Sequence, residues 1–157
     1  MIKRGNFNDD LELQRASEPR GGMAKEEYQR TMERRIYYHD TDAGGVVYYA
    51  NYLKYLEESR TEFLEKKGLT VELFRQRGFI YAVRKCTVDY KSPARYADTI
   101  ICQATLKKVT AAQIIFEQTI HDKKTDRILV EAEVHLVSLD KDFKPCAIPE
   151  DLKSLLL

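Results

Sequence analysis

Apolar positions recur with a helical period in the first half of the chain and with strand-like runs after it. Between residues 50 and 67 they return every three or four positions, which is the spacing of one helix face. We predict a long helix there, ended by Gly68 as its C-cap. A short second helix is predicted over residues 71–77. The positions that define the face of the long helix are Leu53, Leu56, Phe63 and Leu64.

Beyond residue 78 the sequence is rich in β-branched and aromatic residues, divided by polar turn segments. This pattern predicts strands at residues 79–89, 99–109, 113–121 and 128–139. One earlier strand is predicted at residues 34–38, and a short terminal helix opens near Pro149. The order favours an α+β fold in which one long helix lies on an antiparallel sheet.

The amino-acid composition indicates how many domains the chain forms and where the packed domain begins. The chain has 157 residues, 43% hydrophobic and 32% charged, which is typical of one soluble globular domain. Residues 1–32 hold few apolar positions, so we interpret them as a flexible N-terminal extension before a packed domain over residues 33–157. Met23, after two glycines, is a second candidate start.

Charge and cysteine content argue against several classes of function. The net charge of +1 gives no reason to expect nucleic-acid binding or attraction to a membrane surface. No segment approaches the ~20 apolar residues of a membrane span, and the N-terminus lacks a signal-peptide core. The three cysteines match no metal or redox spacing. We therefore expect a cytoplasmic protein without a metal site or cofactor.

A loop with two aspartates and two glycines separates the first predicted strand from the long helix. Free N–H groups at a helix start can bind a developing oxyanion, and a nearby carboxylate can attack a carbonyl or activate water. A calcium loop is the first competing interpretation, but Asn51 stands where its bidentate Glu belongs. An aspartyl phosphatase is the second, but Gly44 stands where Thr or Val belongs. Asp40 is interpreted as a turn-stabilising residue.

The run from Tyr37 to Tyr52, YYHDTDAGGVVYYANY, resembles the signature of the 4-hydroxybenzoyl-CoA thioesterase family. It is most similar to the YbgC-type acyl-CoA thioesterase branch. The similarity continues through the helix and into Pro93-Ala94-Arg95-Tyr96-Ala97-Asp98. The resemblance implies the hot-dog fold, in which an antiparallel sheet wraps a long central helix. It also implies hydrolysis of an acyl-CoA thioester, with a short-chain or aromatic acyl group as the expected substrate.

The resemblance also assigns roles to residues. Asp42 corresponds to the catalytic carboxylate, acting as nucleophile or general base. The backbone N–H of Tyr49 corresponds to the group that polarises the thioester carbonyl. The branch usually carries His at that position, so a histidine-assisted mechanism is not implied for this chain. Tyr38 corresponds to a tyrosine that lines the site. The candidate substrate-binding residues of the loop are Gly45, Val46, Val47 and Tyr48.

Charged residues outside the loop are interpreted either as ligands of the CoA phosphates or as members of helix ion pairs. Lys91 and Arg95 flank Pro93 in a predicted turn and are candidates for binding the CoA phosphates, with Lys107 and Lys108 as second choices. Glu57 is expected to form a helix pair with Arg60.

Assembly and partners follow from the resemblance. Hot-dog units pair into dimers and often tetramers, so we expect a homodimer or homotetramer. The apolar segments 99–101 and 114–116 are interpreted as too apolar for an open sheet edge. An acyl-carrier protein is a further candidate partner.

The alternative function is a hot-dog protein that binds acyl-CoA or an acyl-carrier protein without hydrolysis. A dehydratase ranks low, since no active-site histidine stands in the loop.

Overall fold

The computed structural model describes residues 32–157. The predicted N-terminal extension therefore lies outside the described residues except for Met32, which begins the first strand. The strands are β1 (Met32–Arg35), β2 (Phe79–Tyr90), β3 (Thr99–Val109), β4 (Gln113–Asp122) and β5 (Ile128–Asp140). The helices are α1 (Asn51–Glu65), α2 (Val71–Gln76) and α3 (Glu150–Leu156), with a 3-10 turn at Tyr38–Asp40.

The five strands form one antiparallel sheet in the order β1-β3-β4-β5-β2. Helix α1 packs against β1 and β3, and α2 packs against β2. Burial alternates along β4 and β5, as expected when one face of a sheet is covered by a helix. The predicted α+β architecture is confirmed.

Helix and strand positions agree with the hydrophobic pattern, except at two ends. Helix α1 ends at Glu65 with Lys66 as its C-cap, two residues before the predicted C-cap Gly68, which adopts φ +76° in the turn that follows. The strand predicted at residues 34–38 is wrong at its end, because β1 stops at Arg35. The Asp40 carboxylate accepts the Tyr37 N–H, which favours a 3-10 turn over an extended strand.

Two hydrophobic clusters fill the space between helix and sheet. The first surrounds the start of α1 and includes Tyr52, Tyr55 and Leu56. The second surrounds the end of α1 and includes α2 and α3. The first cluster therefore supports the loop that precedes α1. Within residues 32–157, none of the helices is long and apolar enough to cross a membrane.

The sheet has a short edge strand, β1, and a long one, β2. Segments 99–101 and 114–116, interpreted as too apolar for an open sheet edge, lie inside the sheet, where a strand is paired on each side. They therefore give no reason to expect a second copy at these strands. Most of β2 is exposed or half-buried, so β2 is the longer strand available for pairing.

Candidate active site

The loop before α1 is held by Asp40, which is only 3% exposed. Its carboxylate accepts the Tyr37 N–H at 2.8 Å and lies 3.5 Å from the Arg34 guanidinium. Its carbonyl accepts the Tyr48 N–H at 2.9 Å and the Asn51 side-chain amide at 3.0 Å. Asp40 thus ties both ends of the loop to the start of α1, in agreement with its predicted turn-stabilising role.

The pKa of Asp40 lies below its usual value. Burial by itself would raise this pKa, but the Tyr37 N–H first, and then the Tyr55 hydroxyl and the Arg34 charge, outweigh the effect of burial. Arg34 also donates to Glu58 at 3.0 Å and stacks over the Tyr55 ring at 4.5 Å. These contacts make Glu58 a structural ion-pair partner beneath the loop.

Asp42 is exposed, and its backbone is fixed by the loop. Its N–H donates to the Val46 carbonyl at 2.9 Å, and its carbonyl accepts the Gly45 N–H at 3.0 Å. One carboxylate oxygen accepts the Gly44 N–H at 2.8 Å. A Cβ on Gly44 would approach that oxygen to 3.0 Å, and Gly45 has φ +74°, so both positions favour glycine. The second carboxylate oxygen bonds to no donor in residues 32–157.

The start of α1 presents unused hydrogen-bond donors beside this loop. The Tyr48 N–H donates to Asp40, and the Asn51 N–H donates to the Tyr48 carbonyl. Between them, the N–H groups of Tyr49 and Ala50 donate to no acceptor in the described part of the chain. Such free donors at a helix start can bind an oxygen that gains negative charge.

A cavity of about 280 Å³ lies next to the Tyr49 side chain. The Tyr90 hydroxyl donates to the Tyr49 carbonyl at 3.1 Å, and the Tyr90 ring lies 6.2 Å from the Tyr49 ring and 5.8 Å from the Tyr52 ring. The Tyr52 oxygen accepts the Ala94 N–H at 3.0 Å, and burial raises the pKa of Tyr52. We call this the tyrosine cavity; it is lined by Val47, Tyr49, Tyr52, Tyr90, Lys91, Ser92 and Pro93.

Three of the predicted site residues line the tyrosine cavity, namely Val47, Tyr49 and Lys91. Tyr48 lies beside it, with its ring 5.0 Å from that of Tyr49; the pKa of Tyr48 is raised by Tyr49 first and by Asp42 to a smaller extent. The other candidates, Tyr38, Asp42, Gly45, Val46 and Arg95, are not among the lining residues. Tyr38 is 82% exposed on the 3-10 turn.

Tyr90 is the site residue that sequence reasoning missed. The predicted strand ended at residue 89, so Tyr90 was left between a strand and a turn. Its position directly before Lys91, a candidate ligand, was the available signal.

The predicted phosphate-binding cations differ in whether carboxylates of the described residues already form ion pairs with them. Lys91 is bound by Asp89 and Glu131, which raises the pKa of Lys91. Lys107 lies 2.7 Å from each of two carboxylates. The Arg95 side chain is exposed and has no ion-pair partner among residues 32–157. Arg95 is therefore more available to a phosphate than Lys91.

The helix pair expected between Glu57 and Arg60 does not form. Glu57 accepts a hydrogen bond from Thr61 at 2.9 Å, while Arg60 turns into the interior and donates to Gln118 at 2.9 Å. In the described part of the chain, no three His, Cys, Asp or Glu side chains lie close enough to hold a metal ion together.

Comparison with known proteins places this geometry in a family. The model of the thioesterase-like superfamily matches residues 37–156. The acyl-CoA thioester hydrolase YbgC of Escherichia coli is 37% identical over 119 residues, which cover 75% of this chain and 88% of that protein. The acyl-CoA thioesterase YbgC of Haemophilus influenzae is 34% identical over 122 residues, covering 76% and 88%.

A solved structure supports the same placement. A probable thioesterase from Bartonella henselae superposes with a TM-score of 0.71 at 28% identity, covering 75% of this chain and 97% of that one. The helix-on-sheet arrangement is that of the hot-dog thioesterases. The chain therefore belongs to the thioesterase-like superfamily and is a hot-dog protein of the YbgC type.

Proposed function

We propose that this thioester hydrolase cleaves a short-chain or aromatic acyl-CoA, with Asp42 as nucleophile or general base. The observation that carries the proposal is the exposed Asp42 carboxylate beside a helix start whose Tyr49 and Ala50 N–H groups are unused within residues 32–157. A carboxylate and two free donors are the groups that thioester hydrolysis needs.

The thioester carbonyl oxygen accepts a hydrogen bond from the Tyr49 N–H, which makes the carbonyl carbon more electrophilic. As a nucleophile, Asp42 attacks this carbon and expels the CoA thiolate, and water then hydrolyses the mixed anhydride. As a general base, Asp42 removes a proton from water while the hydroxide adds, and the proton passes to the departing thiolate. Both routes release CoA and a carboxylic acid, and neither requires an imidazole at position 49.

The size of the tyrosine cavity supports a small acyl group. At about 280 Å³ it lies near the lower limit of small-molecule pockets, which begin at roughly 300 Å³. Its tyrosine rings suit an aromatic ring as well as a short aliphatic chain.

The CoA phosphates would contact the loop of residues 91–98. We assign this contact to Arg95 in the first place, with Lys91 as a weaker contributor because two carboxylates already bind it. An acyl-carrier-protein thioester is the second substrate form to test, and the expected location is the cytoplasm.

The assembly we propose is a homodimer, with a homotetramer as the larger form. Strand β2 is the long edge strand of the sheet and exposes apolar side chains at Ile80, Val83 and Tyr90. Pairing with a second copy would cover this edge.

Asp42→Asn tests the catalytic assignment, because asparagine keeps the shape but can neither attack nor take the proton. We expect the kcat for acyl-CoA hydrolysis to fall by about 10²–10⁴-fold with an unchanged melting temperature. The panel should contain acetyl-, butyryl-, benzoyl-, hydroxybenzoyl- and palmitoyl-CoA. Asp126→Asn, at an exposed aspartate of the β4–β5 turn, is the matched control and should retain full activity. Unchanged turnover in Asp42→Asn would contradict the proposal.

A further inference from the structure

The carbonyl oxygen of Tyr49 lies one residue before the N-cap of α1 and lacks the partner that a helix provides. Within residues 32–157 no backbone N–H donates to this oxygen, since the Leu53 N–H donates to the Ala50 carbonyl instead. Its hydrogen-bond donor is the Tyr90 hydroxyl, at 3.1 Å. A side chain from the end of β2 therefore completes the hydrogen bonding of a peptide group at the helix start.

The peptide group that Tyr90 holds also carries one of the two unused donors of the candidate active site. The Tyr49 carbonyl and the Ala50 N–H belong to the same planar peptide group, so a bond to the oxygen fixes the direction of the N–H. The Ala50 N–H donates to no acceptor in the described part of the chain. A hydrogen bond at the carbonyl also polarises the amide and strengthens its N–H as a donor.

The Tyr90 side chain is held by neighbouring rings, which defines the direction of its hydroxyl. Its ring lies 6.2 Å from the Tyr49 ring and 5.8 Å from the ring of Tyr52 on α1. Tyr52 is buried, and its oxygen accepts the Ala94 N–H at 3.0 Å. Burial raises the pKa of Tyr90 above its ordinary value, so the phenol keeps its proton at neutral pH and remains a donor.

Pairing of β2 with a second copy is compatible with this bond. The bond joins two groups of one chain, whereas strand pairing uses the backbone N–H and carbonyl groups at the free edge of β2. Tyr90 pairs with Val130 of β5, and its ring packs on the side of the sheet that α1 covers. A second copy over the 44% exposed Tyr90 side chain would remove water from the bond and strengthen it.

We propose that Tyr90 is a positioning residue for thioester hydrolysis, whose hydroxyl aims the Ala50 N–H at the thioester oxygen as a second donor beside the Tyr49 N–H. This role rests on the function proposed for Asp42. Two donors stabilise the negative charge that develops on the oxygen better than one, and a donor fixed in advance costs no reorganisation during the reaction. The Tyr90 hydroxyl acts through the peptide group, while its ring forms part of the cavity wall.

Tyr90→Phe in the full-length protein tests the hydroxyl, because phenylalanine keeps the ring. Losing an oxyanion donor costs about 10²–10³-fold in kcat, and a donor that is only misaimed costs less. With the acyl-CoA of the panel that the wild type hydrolyses best, we therefore expect the kcat to fall about tenfold while the KM stays near that of the wild type.

Tyr81→Phe is the matched control, since it removes a hydroxyl from the same strand. The Tyr81 ring packs against Phe74 and Phe79, and Tyr81 is not among the residues that line the tyrosine cavity. This variant should keep the kcat and the KM of the wild type.

Infrared spectroscopy of the bound thioester measures the oxyanion donors without turnover. In the Asp42→Asn background, the same substrate, isotope-labelled at its thioester carbonyl, should show a carbonyl band at lower frequency than in free solution, because the site's hydrogen bonds weaken the C=O bond. Adding Tyr90→Phe should reduce this shift, and adding Tyr81→Phe should leave it unchanged. A residue that only supports the cavity wall would not move the band.

Two results would overturn the role of Tyr90. The first is a Tyr90→Phe variant with the kcat and the carbonyl band of the wild-type position, while Asp42→Asn is inactive; the function proposed for Asp42 would then stand without it. The second is full turnover in Asp42→Asn, which would remove the proposed function and the positioning role together.

Discussion

Tyr49 takes part in the proposed chemistry through its backbone, not through its side chain. Proline at this position removes the N–H, and no helical hydrogen bond is lost because Tyr49 lies before the N-cap of α1. We expect Tyr49→Pro to lower the kcat by about 10²–10³-fold, which is the usual effect of losing one oxyanion donor. Single-turnover hydrolysis of the best substrate measures it.

Tyr49→Ala is the matched control for the proline variant. Alanine keeps the N–H while it loses the ring that lines the tyrosine cavity. This variant should therefore change the KM more than the kcat. Equal losses of kcat in the alanine and proline variants would mean that the side chain, not the N–H, is the group that matters.

Asp40 links the stability of the loop to pH. Its pKa is lower in the folded protein than the ordinary value of 3.8, because the Tyr37 N–H, the Tyr55 hydroxyl and Arg34 together outweigh the effect of burial. Its contribution is therefore complete above the ordinary value and disappears as the pH falls through the folded pKa. At neutral pH we expect Asp40→Asn to lower the free energy of unfolding by about 1–3 kcal/mol.

Urea unfolding at a series of pH values separates this effect from the other carboxylates. The difference in free energy between wild type and Asp40→Asn should shrink as the pH falls from about 5 to about 2.5. A difference that stays constant over this range would show that the charge of Asp40 contributes nothing and that only its shape matters.

At the scale of elements, the segment between β2 and β3 packs against the candidate active-site loop. The Val47 N–H donates to the Ala94 carbonyl at 2.9 Å, and the Ala97 N–H donates to the Ile36 carbonyl at 3.0 Å. Ala97 reaches this position with φ 70°, in the left-handed region that alanine rarely adopts. The segment is therefore held in a strained conformation by its contacts to the loop.

Ala97→Gly should relieve this strain. We expect the free energy of unfolding to rise by about 0.5–1 kcal/mol, because the relief of a left-handed alanine exceeds the entropy that glycine gains when unfolded. The melting temperature from circular dichroism measures the change. Ala111→Gly, at an exposed alanine without a positive φ, should destabilise the protein instead. A lower melting temperature in Ala97→Gly would contradict the strain.

At the scale of the whole molecule, we propose that two copies of the chain pair through the open edge of β2. Two copies that pair antiparallel through β2 bring the middle of one strand against the middle of the other, so lysines placed near the middle lie close together and repel each other. Thr87 is exposed in the middle of β2. We expect wild type to sediment as a dimer or tetramer and Thr87→Lys to shift towards smaller species.

Thr105→Lys is the control for the edge variant, because Thr105 is also exposed but lies on β3. It should keep the oligomeric state of the wild type. If Thr87→Lys sediments like the wild type, pairing through β2 is wrong.

The sequence by itself determined the features that depend on near neighbours. The helical spacing of α1 and its end shortly before Gly68 follow from contacts three to five residues apart, and so do the turns around Asp42. The long run from Tyr37 to Tyr52 was enough to predict the family, and with it the hot-dog fold.

Only the tertiary structure decided which side chains meet across the sheet. Arg60 was expected on the helix surface beside Glu57, but its side chain is buried and donates a hydrogen bond to Gln118, 58 residues away. Lys91 was expected to be available to phosphate, but Glu131 on β5 binds it. Tyr90 joins the tyrosine cavity because the end of β2 passes the start of α1. Such contacts depend on strand register and helix placement, which join segments far apart in the chain and leave no local periodicity in the sequence.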